Sequence, residues 1–195
     1  MTKILVTGAN GFVGSALCTT LAERGIDYAA AVRNSNNGKQ FAIGSLSEKT
    51  DWTRALAGCD VVIHAAARVH VMQDTSSDPL AEFRLVNVEA TINLARQADA
   101  AGVRRFVFVS SVKVNGEETT GTPFRASDTP EPRDPYGQSK LEAEKVLFAL
   151  ARETGLEVVV VRPPLVYGPG VRANFDSLMK LVAKGLPMPL GAIHN

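Results

Sequence analysis

A tyrosine and a lysine stand four positions apart in the segment Tyr136-Gly-Gln-Ser-Lys140. The segment is predicted to begin a helix, where residues four apart project from one face. A free tyrosine has a pKa of about 10 and is a poor base at neutral pH, but nearby positive charge favours its phenolate. With Lys140 as that charge, Tyr136 could exchange a proton with a substrate hydroxyl or carbonyl group. An ordinary pair on a helix surface has the same spacing, so its meaning depends on context.

The context is a glycine-rich segment near the N-terminus, Gly8-Ala-Asn-Gly11-Phe-Val-Gly14. It joins a predicted strand to a predicted helix over residues 15–24. The unpaired N–H groups and positive dipole end of such a helix form a seat for a phosphate. Gly8 would permit the tight turn, Gly11 a close approach to a diphosphate, and Gly14 close packing of helix and strand. The spacing differs from the standard Gly-x-Gly-x-x-Gly fingerprint, and a turn without a ligand is the alternative.

A dinucleotide on these glycines would exchange a hydride with the substrate, and its nicotinamide cation would add to the charge that favours a phenolate. A hydroxyl group for the same site could come from Ser110 or Ser111, at the end of a predicted strand. It would hydrogen-bond the reacting oxygen and stabilise its developing charge. Neighbours on a strand point to opposite faces, so only one of these serines can face the cleft.

Short apolar strands alternate with helices along the chain, which predicts an α/β fold with a doubly wound parallel sheet of the Rossmann type. In such folds ligands bind beyond the carboxyl ends of the strands, where the residues above are placed. The strands are predicted at residues 3–7, 27–32, 40–43, 61–65, 106–110 and 158–162, and the helices at 15–24, before Gly58, and at 80–100 and 136–153.

The end of the second strand is where a dinucleotide site distinguishes NAD from NADP. An acidic residue there favours the free ribose hydroxyl of NAD, whereas an arginine can pair with the phosphate of NADP. Arg33 follows this strand, with no carboxylate beside it. The cofactor is therefore NAD or NADP, with a slight preference for NADP; a solvated surface arginine is the alternative.

Taken together, these features resemble the extended short-chain dehydrogenase/reductase superfamily, in its branch of NAD-dependent epimerases and dehydratases that act on nucleotide sugars. The resemblance covers almost the whole chain. It rests on Thr-Gly-Ala-Asn-Gly-Phe-Val-Gly at 7–14, Val-Ile-His-Ala-Ala-Ala at 62–67, Asn87-Val88, Ser-Ser-Val-Lys-Val-Asn-Gly at 110–116, Tyr136 with Lys140, and Arg-Pro-Pro-Leu-Val-Tyr-Gly-Pro-Gly at 162–170.

The resemblance implies a role for each matching position. Ser111, rather than Ser110, would be catalytic with Tyr136 and Lys140, and Lys140 would also hold the nicotinamide ribose. The cofactor would be bound by Gly8, Gly11, Phe12, Val13 and Gly14 at the diphosphate, Arg33 at the adenosine ribose, Ser45 and Leu46 at the adenine, Ala65, Ala66 and Ala67 at its middle, Asn87 beside it, and Pro163 against the nicotinamide. The substrate would be met by Asn174 at its diphosphate and by 186–190, with Leu186 and Leu190, over its base.

The implied activity is hydride transfer at C4 of a UDP- or dTDP-sugar, by a 4-epimerase or a 4-dehydrogenase/ketoreductase. A 4,6-dehydratase is not expected, because family dehydratases carry an Asp-Glu pair where this chain has Val112 and Lys113. The alternatives are an NADPH-dependent reductase of a non-sugar carbonyl and a dinucleotide-binding regulator without turnover. The regulator explains the glycines but not the joint presence of the serine, tyrosine and lysine.

Composition and the remaining polar residues exclude several other classes of protein. A net charge of +1 and the absence of a basic aromatic stripe disfavour nucleic acid and anionic membranes as partners. No apolar run reaches the ~18 residues of a membrane span and no signal sequence is evident, so we expect a cytoplasmic protein. No metal-ligand pattern is present. His64 is expected to be structural, bonded to backbone, and His70 a solvated loop residue.

The expected organisation is a dinucleotide-binding domain over residues 1–170 and the beginning of a substrate-binding domain over 171–195. Family members usually run on for more than a hundred further residues, so the C-terminal substrate domain is expected to be largely missing. By resemblance, the helices at 80–100 and 136–153 would pair into the interface of a homodimer.

Overall fold

The computed structural model describes residues 2–35, 40–69, 78–119, 121–171 and 174–185. The chain divides into two compact units, residues 1–164 and residues 165–195. The first unit holds the sheet, and each unit is described by itself. The assignment of residues 1–170 and 171–195 to two functional domains stays a prediction.

The six described strands of the first unit form one parallel sheet in the order β3-β2-β1-β4-β5-β6. From β1 the chain adds β2 and β3 on one side and then crosses back to add β4, β5 and β6 on the other side. This change of direction opens a crevice beyond the carboxyl ends of β1 and β4. The doubly wound sheet predicted from the sequence is thus confirmed. The strands are β1 (Ile4–Thr7), β2 (Tyr28–Val32), β3 (Gln40–Ala42), β4 (Val61–His64), β5 (Arg105–Val109) and β6 (Glu157–Val161).

Helices cover both faces of this sheet because successive strand residues point in opposite directions. Leu5 belongs to the larger apolar cluster, with Leu94 and Leu147 from the helices of one face, whereas Val6 belongs to a second cluster with Leu21 of the first helix. The helices are α1 (Phe12–Glu23), α2 (Thr53–Leu56), α3 (Pro79–Arg84), α4 (Ala90–Ala100) and α5 (Pro135–Thr154), with α6 (Asn174–Ala183) in the second unit.

The beginning of α5 is set by its own sequence. The Asp134 carboxylate accepts a hydrogen bond from the Gly137 N–H at 2.6 Å, and Pro135 occupies the first turn, where it needs no N–H partner. Gly155 ends the helix with a φ of +84°, in the left-handed region. This boundary places Tyr136 in the first turn of α5, next to the carboxyl end of β5.

The helix predicted over residues 80–100 is interrupted in its middle. A π-helical segment, Leu85–Glu89, separates α3 from α4 and contains the buried Asn87. The sequence analysis predicted one continuous helix here and did not predict this segment. Segments of this kind often occur at functional sites, and here the segment carries Asn87, whose side chain bonds Arg68 and Ser139.

In the second unit, α6 begins at Asn174 and the rings of Tyr167 and Phe175 stack with centroids 5.1 Å apart. Leu186 and Leu190, expected to cover the base of the substrate, lie outside the described residues, as does His70. Within the described part of the chain, no helix has both the length and the apolar character needed to cross a membrane.

Candidate active site

The glycine-rich segment forms a tight backbone cradle between β1 and α1. Gly8 has a φ of +64°, and a Cβ there would lie 2.9 Å from backbone atoms of Ala66. A Cβ on Gly14 would lie 2.1 Å from the carbonyl oxygen of Gly8. Both positions therefore exclude any side chain, as expected for a segment in which strand, loop and helix meet closely.

The first turn of α1 fits an anionic group. Gly11 caps the helix without a side-chain hydrogen bond, and Phe12 and Val13 open it. The first N–H groups of an α-helix have no partner within the helix, and its dipole places positive charge there. The residues present thus suit the diphosphate of a dinucleotide.

A cluster of three side chains fixes the strands behind this cradle; we call Thr7, His64 and Thr91 the histidine cluster. The Thr7 hydroxyl lies 2.7 Å from Nδ1 of His64, and the Thr91 hydroxyl lies 3.0 Å from Nε2. Thr7 Oγ1 also accepts a hydrogen bond from the N–H of Ala66. The ring of His64 is therefore bonded to two side chains, whereas the sequence analysis expected bonds to the backbone. The histidine cluster connects β1, β4 and α4 beside the cradle.

The imidazole of His64 is neutral across the physiological range. Burial is the main reason that its pKa falls from 6.5 to about 3, and the positive charge of Lys140 lowers it further. A neutral ring with both nitrogens bonded has no free capacity for proton transfer at neutral pH. This geometry supports a structural role for His64.

Asn87 holds the loop that follows β4. Its side-chain oxygen accepts from the N–H of Arg68 at 2.9 Å, and its amide group donates to the Arg68 carbonyl and to the Ser139 hydroxyl, each at 3.0 Å. The loop begins with the half-buried Ala65, Ala66 and Ala67, where the middle of the cofactor is expected. Asn87 thus joins this loop to α5.

The residues expected at the adenosine end lie on two neighbouring loops. Arg33 is exposed just after β2, and its carbonyl accepts from the N–H of Gly44 after β3. Ser45 is exposed and its carbonyl accepts from the Thr50 hydroxyl, while Leu46 packs against the core. The parallel pairing of β2 with β3 therefore places all three expected contacts at the same edge.

Ser111, Tyr136 and Lys140 come together at the carboxyl end of β5. The Ser111 side chain is near enough to the Tyr136 phenol to lower its pKa, and Nζ of Lys140 lies 5.9 Å from the centroid of the Tyr136 ring. The expectation that Tyr136 and Lys140 project from one face of a helix is correct. The arrangement offers a hydroxyl, a phenol and an amine around one position.

The pKa of Tyr136 differs from the sequence-based expectation. It is raised above the ordinary value of 10.0, chiefly because the phenol is buried and secondly because Asp134 places negative charge nearby. The polar side chain of Ser111 and the positive charge of Lys113 lower the pKa of Tyr136. The expected lowering of the Tyr136 pKa is therefore wrong for the protein without cofactor, in which Lys113 is the cation that lowers it most.

Lys140 is almost completely buried, with only 2% of the residue exposed. Burial lowers the pKa of its ammonium group from 10.5 to about 7, against the opposing effect of Glu144. Nζ donates to the carbonyl of Val109 at 2.9 Å and lies 4.5 Å from the centroid of the Phe108 ring. Lys140 is therefore a base that titrates near neutrality in the centre of the site.

Ser110 points away from Tyr136, which resolves the choice that strand alternation leaves open. Its hydroxyl donates to Glu144 of α5 at 2.5 Å, and that carboxylate accepts two further hydrogen bonds from Arg162 after β6, at 3.0 and 2.6 Å. We call Ser110, Glu144 and Arg162 the carboxylate cluster. Sequence analysis missed it, although the placement of Glu144 one helical turn after Lys140 was a usable signal.

A second set of contacts joins the segment after Ser111 to the beginning of α5. Nζ of Lys113 lies 2.5 Å from the Asp134 carboxylate that caps α5, and a Cβ on Gly137 would lie 2.8 Å from the Lys113 carbonyl oxygen. Pro163, expected against the nicotinamide, accepts from the N–H of Val112 at 3.0 Å. These contacts keep the two chain segments that carry Ser111 and Tyr136 adjacent.

Among the described residues, no group of three histidine, cysteine, aspartate or glutamate side chains could hold a metal ion. Asn174, expected at the substrate diphosphate, opens α6 in the second unit. The arrangement in the first unit is thus a dinucleotide cradle followed by groups that can move a proton.

Comparison with known proteins shows the relationships of this chain. A UDP-glucose 4-epimerase of Vibrio cholerae is 50% identical over 197 residues, which cover 98% of this chain and 60% of the relative. A 3-beta-hydroxysteroid dehydrogenase of Mycolicibacterium neoaurum is 32% identical over 94% of this chain and 52% of its own length. The chain thus spans between half and two thirds of these relatives.

A solved structure shares the fold. The crystal structure of UDP-glucuronic acid 4-epimerase from Bacillus cereus in complex with NAD superposes with a TM-score of 0.81 at 26% identity, covering 95% of this chain and 64% of that one. The family model of the NAD-dependent epimerase/dehydratase family matches residues 4–186. Because this match spans both the dinucleotide cradle and the segment of Ser111, Tyr136 and Lys140, the chain belongs to the NAD-dependent epimerase/dehydratase family.

Proposed function

We propose that this protein is a nucleotide-sugar 4-epimerase in which Tyr136 exchanges a proton with the C4 hydroxyl of a UDP-sugar. The observation that carries the proposal is the Tyr136 phenol, whose pKa the Ser111 side chain lowers and which lies close to Lys140, on the same edge of the sheet as the cradle of Gly8 and Gly14. The 50% identity with the Vibrio cholerae UDP-glucose 4-epimerase supports this choice of reaction and substrate.

The proposed roles follow from the chemistry of each group. When bound, NAD supplies an acceptor for the hydride and later returns it. Tyr136, as its phenolate, would take the proton of the C4 hydroxyl as the hydride leaves C4, and would return it to the same oxygen when the hydride comes back to the other face of C4. Burial raises the pKa of the phenol, so the phenolate would need positive charge close to it. Ser111 donates to the reacting oxygen and stabilises the charge that develops there. Lys140 contributes positive charge beside the phenol.

We propose NAD as the cofactor. The family is NAD-dependent by description, and the Bacillus cereus relative was solved with NAD, whereas the preference for NADP predicted from Arg33 finds no support in the relatives. Titration of the purified protein with NAD and NADP measures the preference directly. If NADP binds more tightly, and Arg33→Ala removes the difference, the interpretation of Arg33 is right and NAD is the wrong choice.

One observation favours a second candidate function. The 32% identical relative is a hydroxysteroid dehydrogenase, so the same proton-transfer groups could serve a non-sugar alcohol or carbonyl. In a 4-dehydrogenase or ketoreductase of a nucleotide sugar, the same half-reaction would stand alone. A dinucleotide-binding regulator would need the cradle but not Tyr136.

The first experiment incubates the purified protein with UDP-glucose and with UDP-N-acetylglucosamine and follows the C4 epimers. An epimerase interconverts them without net consumption of NAD, whereas a dehydrogenase or reductase changes the absorbance of the nicotinamide. Tyr136→Phe should lower the rate on the order of a hundredfold or more while cofactor binding persists. Tyr28→Phe, at a half-buried tyrosine of β2, is the matched control and should leave the rate unchanged.

The outcomes separate the candidates. Turnover of a steroid or other alcohol, with no change in either UDP-sugar, would replace the epimerase by the second candidate. Full activity in Tyr136→Phe would remove the proposed proton donor. Binding of NAD without turnover of any tested substrate, in protein shown to be folded, would favour the regulator.

We also propose a homodimer formed through α3 to α5, as the family resemblance implies. Leu85 and Phe148 lie on these helices and are exposed in the single chain, which supports a partner surface there. Light scattering of the purified protein tests the assembly. Phe148→Asp should shift a dimer toward monomer, while a dimer that persists unchanged would place the interface elsewhere.

A further inference from the structure

We propose that Glu144 is a positioning residue for the proton-transfer centre: the carboxylate cluster holds its negative charge one helical turn from Lys140 and keeps that lysine cationic. The inference rests on the proposed roles of Tyr136 and Lys140. It assigns a function to a buried carboxylate that the proposed reaction does not itself use.

The carboxylate of Glu144 is held in one place by three hydrogen bonds. The Ser110 hydroxyl donates to Oε1 at 2.5 Å, and the guanidinium of Arg162 donates to Oε1 at 3.0 Å and to Oε2 at 2.6 Å. Arg162 is itself fixed by donating to the side-chain oxygen of Asn115 at 3.2 Å. Only 3% of the Glu144 side chain is exposed, so its charge is little screened by water. A fixed, unscreened charge acts strongly on its neighbours.

Lys140 is the neighbour that this charge affects. Residues four apart on a helix have side chains on the same face, which places Lys140 and Glu144 side by side on α5. Among the described residues, the titratable groups whose contact or charge relation with Lys140 is seen are Glu144, Tyr136 and the neutral His64 on β4. Arg162 is paired with Glu144. Of these groups, Glu144 is the one that raises the pKa of Lys140.

The charge balance at Lys140 would fail without that carboxylate. Burial among Phe108, Val109 and the sheet disfavours the ammonium form, and Glu144 opposes this effect, so that the pKa of Lys140 settles at about 7. A cation with only a carbonyl and an aromatic face for partners would lose its proton at still lower pH. Glu144 thereby maintains the positive charge that the proposed reaction needs beside the phenol.

The cluster also determines which serine serves the site. Because Ser110 is bound to Glu144 on one side of the chain, its neighbour Ser111 is turned toward Tyr136. The carboxylate thus positions two groups at once, the cation through its charge and the hydroxyl through the backbone.

The test measures the protonation of Lys140 directly in the purified protein. The ¹³C signal of the lysine Cε atoms is followed by NMR as a function of pH, and the Lys140→Met variant identifies the signal of Lys140. In Glu144→Gln the midpoint should fall by about one pH unit or more, a tenfold change in proton affinity, because an opposite charge has been removed. Glu142→Gln is the matched control: Glu142 lies on the same helix but pairs with Arg84 at the surface, and the midpoint should not move.

The direction of the shift separates the proposal from a merely structural role. If loss of Glu144 only loosened the site, water would reach Lys140 and the midpoint would rise toward 10.5, the value of a solvated lysine. A rise, or a midpoint equal to that of the control, would overturn the proposal. Should Glu144→Gln fail to fold, the double variant Glu144→Gln/Arg162→Gln removes both buried charges, and the midpoint should still fall.

Kinetics supply the second readout. The limb of the pH profile of kcat/KM that reports Lys140 should move to lower pH in Glu144→Gln, and Glu144→Asp, which keeps the charge, should restore it in part. The NMR titration needs no substrate. Failure of the proposed epimerase activity would therefore leave the test of Glu144 intact, and the two failures can be told apart.

Discussion

The histidine cluster and the carboxylate cluster lie on neighbouring parts of one sheet, and each is associated with a buried base. Burial is the main cause that lowers the pKa of both bases, His64 to about 3 and Lys140 to about 7. The difference lies in their charged neighbours. Glu144 stabilises the ammonium of Lys140, whereas the charged neighbour of His64 is Lys140 itself, a cation.

This difference separates two uses of buried polar groups. His64 stays neutral, and both of its ring nitrogens are hydrogen-bonded to threonine hydroxyls. It can therefore hold neighbouring segments in place but cannot transfer a proton at neutral pH. Lys140 stays close to the balance between its two forms because a buried carboxylate offsets its desolvation. A counter-charge, rather than burial alone, therefore distinguishes the base suited to chemistry from the base suited to structure.

The largest effect is expected where the histidine cluster borders the cradle. In Gly14→Ala the new Cβ would lie 2.1 Å from the Gly8 carbonyl oxygen, so the backbone must move and the segment cannot keep its shape. We expect a loss of unfolding free energy of about 1–3 kcal/mol or more, together with loss of NAD binding. Thermal unfolding and a binding titration measure the two effects.

Gly11→Ala is the matched variant for that experiment. Its Cβ would meet the same oxygen at 3.1 Å, which a movement of a few tenths of an ångström relieves. Without cofactor, this variant should therefore unfold close to the parent protein. Equal destabilisation of both variants would show that the cradle is not built as tightly as the Gly8 and Gly14 geometry indicates.

The second prediction separates activity from stability in the charged region. Lys140→Met should lower turnover on the order of a hundredfold while the protein remains folded, because methionine fills the space without a charge. Stability should also change its dependence on pH. The folded pKa of Lys140, about 7, is lower than the ordinary 10.5, so between these values the unfolded chain binds more protons and the parent becomes more stable as pH rises.

The increase of unfolding free energy with pH should be absent from Lys140→Met. In the parent protein, Lys140 can contribute at most roughly 1.4 kcal/mol of unfolding free energy per pH unit. Urea unfolding at several pH values between 7 and 10 gives the comparison. Lys145→Met, at an exposed position of the same helix, should keep both the rise and the turnover. A parent curve that is flat in this window would contradict the burial effect on Lys140.

The sequence was informative wherever function depends on local spacing. The glycines at 8, 11 and 14 predict the cradle, in which Gly8 and Gly14 leave no room for a side chain. The four-residue spacing of Tyr136 and Lys140 predicts their common face. The six strands follow from short apolar runs, and each observed bound lies within one residue of the predicted bound.

Features that depend on long-range contact were beyond such patterns. The carboxylate cluster unites β5, α5 and the end of β6, and no spacing rule links Ser110 to Arg162. The prediction that the pKa of Tyr136 is lowered was wrong for the same reason. Burial, which is a property of the folded chain, raises this pKa and outweighs the cations nearby. Strand alternation narrowed the choice between Ser110 and Ser111, but only the contact with Glu144 decides it.

The third prediction concerns the pH dependence of the neutral region. His64 has a folded pKa of about 3 against an ordinary 6.5, so the unfolded chain binds more protons between these values and the parent loses stability as pH falls through this window. His64→Gln should be less stable than the parent at pH 7, because the ring packs against Phe106 and Phe108. The gap should narrow toward pH 3, as measured by urea unfolding; a constant gap would show that His64 does not titrate in this way.

The smallest effect tests whether the histidine cluster acts through single hydrogen bonds. Thr91→Val keeps the shape of the side chain but leaves Nε2 of His64 without its partner, which should cost about 1–3 kcal/mol of unfolding free energy. Thr91→Ser keeps the hydroxyl group and loses only a methyl group, so it should retain the hydrogen bond and stay closer to the parent. Turnover should be little changed in both variants, since the cluster carries no charge to the reaction. If Thr91→Val instead lowered turnover as much as Lys140→Met, the neutral region would take part in proton transfer and the distinction between the two clusters would fail.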